Sequence, residues 1–221
     1  MPKKKLIHFR ENLTFPFLFQ PTFLELRDDF RLRSKWNSSF FNNDNPIVLE
    51  AGCGKGEYTV GLARNNQGKN YVGIDIKGAR LWRGCRTVKE ESLKNVAFIR
   101  TLADHMEKLF APGEISEVWI TFPDPQPMKN RRKFTSPWFL EKFRNILVPG
   151  GTIHLKTDNE DYYNFTLEVI GEEGHILLQS TSDLFNSGIS GEIREIRTFY
   201  ENMWLAQGKN ICYLSFQLGS L

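Results

Sequence analysis

No apolar run in the 221-residue chain is long enough to cross a bilayer. The longest, such as Phe15–Phe19 and Val118–Phe122, fall far short of the roughly 20 residues that a spanning helix needs. Cysteine is scarce: Cys53, Cys85 and Cys212 are scattered, which argues against a disulfide scaffold and for a reducing compartment. The histidines, His8, His105, His154 and His175, stand alone, with no Cys-x-x-Cys or His-Glu-x-x-His spacing, so no metal site is expected. The start, Met1-Pro-Lys-Lys-Lys5, lacks the apolar stretch and small-residue cleavage site of a secretory signal. These absences together predict a cytoplasmic protein with no membrane partner. They leave the oligomeric state open between monomer and homodimer.

Hydrophobic residues make up 40% of the chain and charged residues 25%, the balance of a soluble globular protein. The net charge of +3 is mild, but its distribution is not uniform. Positive charge gathers at Lys3–Lys5 and between Lys129 and Lys133, whereas Glu90-Glu91 and Glu172-Glu173 concentrate acid elsewhere. Residues 1–45 form an N-terminal extension, rich in Phe, broken by Pro16 and Pro21, and ending in Asn42-Asn-Asp-Asn45. Its aromatic side chains are expected to pack across the main domain. Trp36 and Phe23 either close over a substrate or complete the core, and core is the simpler reading.

From Pro46 onward, residues 46–221 read as one domain. Strand patterns at about 46–51, 70–75, 96–100, 116–122 and 151–157 alternate with helical patterns at about 56–66, 77–93, 103–110, 136–147 and 159–171. Ser136 and Pro137 start the fourth of these helices, and Pro149-Gly-Gly151 stops it. Further strands are expected near 175–181 and 210–218. Such alternation predicts an α/β fold, a mostly parallel sheet with helices on both faces.

In such sheets ligands bind beyond the carboxyl ends of the strands. The first strand, Ile47-Val-Leu-Glu50, runs into Gly52-Cys-Gly54-Lys-Gly56, where glycine lets the backbone turn tightly and approach a ligand. The spacing is Gly-x-Gly-x-Gly and not the Gly-x-Gly-x-x-Gly of dinucleotide sites. Glu50, at the strand end, is read as repelling a pyrophosphate and welcoming a sulfonium and an ammonium, which S-adenosylmethionine carries. Asp75, closing the next strand, has the position of an acid that binds ribose hydroxyls, although an acid capping the helix at Lys77 has the same pattern. Thr101-Leu-Ala-Asp104 supplies a third contact or another cap.

The fourth strand leads into Thr121-Phe-Pro-Asp-Pro-Gln-Pro-Met-Lys-Asn-Arg-Arg-Lys133. Prolines on both sides of Asp124 restrict the backbone, as suits a pre-placed carboxylate. Lys129, Arg131, Arg132 and Lys133 then offer phosphate-directed charge beside it. A plain turn followed by a solvated basic loop is the bland alternative.

The Glu-x-Gly-x-Gly-x-Gly loop, Phe122-Pro-Asp-Pro125, the Arg-Arg-Lys run, Lys156-Thr-Asp158 and Thr198-Phe-Tyr-Glu201 occur in the order seen in bacterial tRNA (guanine-N7-)-methyltransferases, which the chain resembles over roughly 46–218. The resemblance implies a Rossmann-like class I methyltransferase fold, a seven-stranded sheet with a reversed last strand. It also implies methyl transfer from S-adenosylmethionine, without a metal, to N7 of a guanine in the tRNA variable loop. Glu50, Gly52, Gly54, Gly56, Asp75, Leu102 and Asp124 then correspond to cofactor contacts, with Asp124 also the catalytic residue, in an orienting and electrostatic role. Met128, Lys129, Arg131, Arg132, Asp158, Thr198, Phe199, Tyr200 and Glu201 correspond to substrate contacts. Gln126 and Met128 stand where the family has Trp and Lys, and a loop two residues shorter gives Lys129 the displaced lysine's role. At Leu102 the contact is by backbone, or passes to Asp104.

Guanine N7 is an exposed lone pair, so the reaction needs in-line placement and not a strong base. Asp124 would stabilise the positive charge that develops on the purine and select guanine through N1–H and the amino group. Asp158 is a second candidate for base or ribose contact, or a cap for the helix near Asn159; Thr198 and Glu201 have capping-box spacing. The rivals are a methyltransferase acting on another RNA or a small metabolite, a catalytically silent nucleic-acid-binding module and, last, a nicotinamide oxidoreductase.

Overall fold

The structure is a computed structural model that describes residues 2–220, with side chains from Lys5 onward. Eight strands form one sheet: β1 (Leu18–Phe19), β2 (Ile47–Ala51), β3 (Asn70–Asp75), β4 (Val96–Arg100), β5 (Ile115–Thr121), β6 (Leu147–Thr157), β7 (Ile176–Thr181) and β8 (Cys212–Gln217), in the order β1-β4-β3-β2-β5-β6-β8-β7. The pairs from β1 to β6 are parallel, and β8 lies antiparallel between β6 and β7. The reversed last strand is therefore present. The expected count of seven is corrected to eight, because Leu18 and Phe19 of the extension add a short edge strand beside Phe98 and Ile99.

The helices are α1 (Pro2–Asn12), α2 (Phe23–Arg27), α3 (Glu57–Asn65), α4 (Gly78–Glu91), α5 (Met106–Leu109), α6 (Pro137–Arg144), α7 (Glu160–Glu172), α8 (Glu192–Glu195) and α9 (Phe199–Ala206). Alternate strand residues feed two cores. Ile47, Leu49, Val72, Ile74, Val118 and Ile120 face one, shared with α6 and α7. Val48, Tyr71, Phe98 and Trp119 face the other, shared with α3 and α4. Burial on both faces is why these strands read as near-continuous apolar runs.

Two expected boundaries shift. The 103–110 helix splits into a 3-10 turn, Ala103–His105, and the single turn of α5. α6 ends at Arg144, before the expected stop, because Ile115 pairs with Leu147 and draws Leu147–Gly151 into β6.

The extension is part of the core. Trp36 is fully buried, its Nε1 donates to the Leu109 carbonyl at 3.0 Å, and its ring meets Phe19 at 5.3 Å and Phe110 at 5.7 Å. Phe23, by contrast, is 78% exposed on α2 and completes nothing. α1 docks on α4: His8 stacks on Trp82 at 3.8 Å, and Asn12 Nδ2 donates to the Gly78 carbonyl at 2.8 Å. Among the described residues no helix is long and apolar enough to cross a membrane.

Trp36→Ala is expected to lower the unfolding free energy by about 3–5 kcal/mol in denaturant titration. A loss below about 1 kcal/mol would mean that the extension is not part of the cooperative core.

Candidate active site

Strand order reverses between β2 and β5: β3, β4 and β1 lie on one side, β6, β8 and β7 on the other. Crevices form at such a switch point, outside the carboxyl ends of the strands. A cleft of about 650 Å³ opens there. Gly52, Asp75, Ile76, Lys77 and Arg80 line one side, Thr101–Asp104 the end of β4, and Phe122–Asp124, Gln126, Arg131 and Arg132 the other side. Phe134, Trp138, Phe139 and Tyr162 add an aromatic wall. Its size suits a nucleoside-sized ligand.

The glycine loop turns because Gly52, Gly54 and Gly56 all sit at positive φ, between 57° and 75°. Gly56 also needs its missing side chain, since a Cβ would lie 2.5 Å from the Phe98 ring. Around Gly54 nothing lies within 4 Å of where a Cβ would be, so the backbone there is open to a ligand. Asp75 anchors this loop: its Oδ2 accepts from the Gly54 N–H at 2.9 Å and its Oδ1 from the Lys77 N–H at 2.6 Å. Asp75 is not the N-cap of α4, which is Lys77; it accepts from that residue's N–H and lines the cleft.

Glu50 behaves differently from its sequence reading. It is 3% exposed, lies outside the cleft lining, and is held by side chains that sequence reasoning did not single out. Its Oε2 accepts from the Thr59 N–H at 2.8 Å and from the Thr59 hydroxyl; its Oε1 accepts from the Thr121 hydroxyl at 2.5 Å. Burial pushes the carboxyl up to about 7, against the opposing effect of the Thr121 and Thr59 hydrogen bonds. So placed, Glu50 repels a pyrophosphate far less than an exposed carboxylate would. The glycine spacing is what distinguishes this loop from a dinucleotide site.

The Pro-Asp-Pro loop places Asp124, exposed, on the cleft wall. Its backbone is strained: Phe122, Gln126 and Met128 have φ of 47°, 48° and 65°, in the left-handed region that non-glycine residues rarely adopt. Arg131 and Arg132, in a 3-10 turn spanning Asn130–Arg132, reach the cleft, and the Arg131 guanidinium lies 5.2 Å from the Trp138 ring. Lys133 does not join them. It is 7% exposed with Nζ 4.1 Å from the Phe165 ring, lies outside the cleft lining, and burial pulls its pKa down. Met128 is 99% exposed and, like Lys129, lies outside the cleft lining.

No residue of the C-terminal motifs is in the cleft lining. Asp158 pairs with Lys209 at 3.4 Å and caps nothing; Asn159 is the N-cap of α7. Thr198 and Glu201 form the capping box of α9, and Glu201 is fully buried against Lys156, whose Nζ lies 2.8 Å from its Oε1. Lys156 also donates to the Ile193 and Ile196 carbonyls. A carboxylate so enclosed positions α9 and does not meet a base. Phe199 and Tyr200 remain half-exposed near Lys55, whose Nζ is 4.1 Å from the Phe199 ring. Leu102, 45% exposed, lines the cleft, and Asp104 lines it too.

Glycine loop, ordered acid and switch-point cleft on this sheet define a Rossmann-like methyltransferase. A 16S rRNA methyltransferase, KamB, is similar in fold, with a TM-score of 0.63 at 14% identity over 85% of this chain and 92% of that one. A family model described as "Putative methyltransferase" matches residues 44–214. The tRNA (guanine-N(7)-)-methyltransferase of Christiangramia forsetii is 50% identical over 220 residues, 98% of each chain. The protein of the same name from Bacillus subtilis is 34% identical over 197 residues, 88% of this chain and 91% of its own. The chain belongs to the tRNA (guanine-N(7)-)-methyltransferase family.

Because the Glu50 carboxyl is raised on folding from 4.5 to about 7, the native state holds the extra proton between those values. Its contribution to stability is therefore greatest at the acid end and is lost as pH rises toward about 7. Denaturant titrations from pH 5 to 8 should show wild type losing on the order of 2 kcal/mol relative to Glu50→Gln. A difference that stays flat with pH would contradict the buried, protonated state.

Proposed function

We propose that the protein transfers the methyl group of S-adenosylmethionine to N7 of a guanine in the variable loop of tRNA, giving 7-methylguanosine. The observation that carries the reading is Asp124, clamped between Pro123 and Pro125 on a cleft that also exposes Asp75, Arg131 and Arg132. Family membership supports the reaction and the substrate class.

The residues present fit the cofactor. The Asp75 carboxylate, already oriented by two backbone N–H groups, keeps lone pairs for ribose hydroxyls. Ile76 and Leu102, 52% and 45% exposed on the cleft, offer apolar surfaces for an adenine. The open backbone at Gly54 lets the amino-acid end approach closely. When bound, the cofactor supplies an electrophilic methyl group; the protein supplies position and field.

Asp124 acts on the other partner. Guanine presents N1–H and an amino group as donors on its pairing edge, and a carboxylate accepts both, which adenine cannot offer. That grip fixes the ring for in-line attack by N7. As the bond to carbon forms, the purine becomes cationic, and the nearby negative charge stabilises it. No proton leaves N7, so no general base is required. Arg131 and Arg132 meet phosphates at the cleft rim and set register without reading sequence.

Wild-type protein incubated with labelled cofactor and unmodified tRNA should yield labelled 7-methylguanosine on nucleoside analysis. Asp124→Asn keeps shape and fold but removes charge, and turnover should fall by about 10²-fold or more. Near-normal turnover of Asp124→Asn and Asp124→Ala would move the role to another residue. Absence of product from the wild type would leave a silent RNA-binding module.

A further inference from the structure

From its N-cap, α4 carries a basic side chain at every third position: Lys77, Arg80, Arg83, Arg86 and Lys89. With 3.6 residues per turn this row winds slowly around the helix. Lys77 and Arg80 line the cleft. Arg83 lines a second groove, of about 560 Å³, between α3 and α4, into which Lys55 and Arg197 also reach.

The charge in this groove is unevenly committed. Of its carboxylates, Glu57 accepts from the Phe199 N–H at 3.0 Å, Glu90 pairs with Arg86 at 2.7 Å, and Glu91 pairs with Arg64. Glu57, whose donor is a neutral N–H, and Glu195 are left without a cation partner among the described residues. On the other side, Lys55, Arg83 and Arg197 form no ion pair with a carboxylate among the described residues. Two of them rest on aromatic faces: Lys55 lies 4.1 Å from the Phe199 ring and the Arg197 guanidinium 4.7 Å from the Phe185 ring. An aromatic face orients a cation without neutralising it, so the full charge stays available to an anion.

We propose that the α3–α4 groove is a second RNA-backbone track, joined to the cleft by Lys77 and Arg80, in which Lys55, Arg83 and Arg197 bind phosphates of the substrate. It rests on the reading of tRNA as substrate. A single phosphate needs one such cation or two, whereas a row that leaves the rim of the cleft and continues along a helix suits a strand. These contacts lie apart from the reacting base, so they add affinity and orientation and carry no base specificity.

The test is binding of an unmodified tRNA transcript to the full chain between 50 and 200 mM salt. Neutralising two phosphate contacts, in Arg83→Gln with Arg197→Gln, should flatten the slope of log affinity against log salt by about 1.5–2 units. Arg83→Lys with Arg197→Lys should restore most of it, and Lys35→Ala, elsewhere on the surface, should leave it unchanged. An unchanged slope in the folded glutamine variant would overturn the track. Should that variant misfold, Arg83→Gln alone, on the exposed surface of α4, should flatten the slope by about 0.9. Wild-type protein that binds tRNA with these slopes but forms no 7-methylguanosine would refute the proposed reaction and leave the track standing. Failure of the wild type to bind tRNA would overturn both.

Discussion

A carboxyl group with almost no access to water holds the site together. Glu50 stands at the end of β2, Thr59 on α3 and Thr121 at the end of β5, so the three hydrogen bonds to Glu50 bind the two strands that flank the switch point and the helix that leaves it. Each donor is buried, and an unpaired partner in that place would cost about 1–3 kcal/mol. Asp75 extends the arrangement one strand further by holding Gly54 to β3. The glycine loop is thereby fixed on both sides before any ligand arrives.

The Pro-Asp-Pro loop is built on strain. Three non-glycine residues with left-handed backbone, between Phe122 and Met128, cost of order 1–3 kcal/mol each. Proline at 123, 125 and 127 limits the alternatives open to the unfolded loop, which offsets part of that cost. The Phe122 N–H still donates to the Lys156 carbonyl at 2.8 Å, which ties the start of the loop to β6. Lys156 in turn is locked beneath α9 by Glu201. Removing one member of so buried a pair leaves an uncompensated charge, so the motif around Lys156 and the motif around Glu201 are bound to each other as much as to any ligand.

Much of this was legible in the sequence. Strand and helix alternation fixed the parallel sheet, and Ser136-Pro137 and the capping box at Thr198 marked helix starts that the structure reproduces. The glycine loop, Asp75, Asp124, Arg131 and Arg132 were read from strand ends and local composition, because parallel sheets place ligands there, whereas Leu102 came from the family resemblance. Depth was not legible. Glu50, Lys133 and Glu201 carry the same charge in a sequence whether they face solvent or a core, and only the third dimension shows Thr59, the Phe165 ring and Lys156 around them. The eighth strand was missed because two residues beside prolines give no period to read. The row of cations on α4 was visible as a spacing, but its meaning depends on which carboxylates are already engaged.

The central claim is that one cleft, at the β2–β5 switch point, brings Asp75 and Asp124 to the two sides of a bound methyl donor. A crystal structure with S-adenosylhomocysteine tests it most directly. The account predicts ribose hydroxyls on the Asp75 carboxylate, adenine against Ile76 and Leu102, and the sulfur facing the side of the cleft that holds Asp124. Density for the ligand in the α3–α4 groove, or with its ribose away from Asp75, would contradict it.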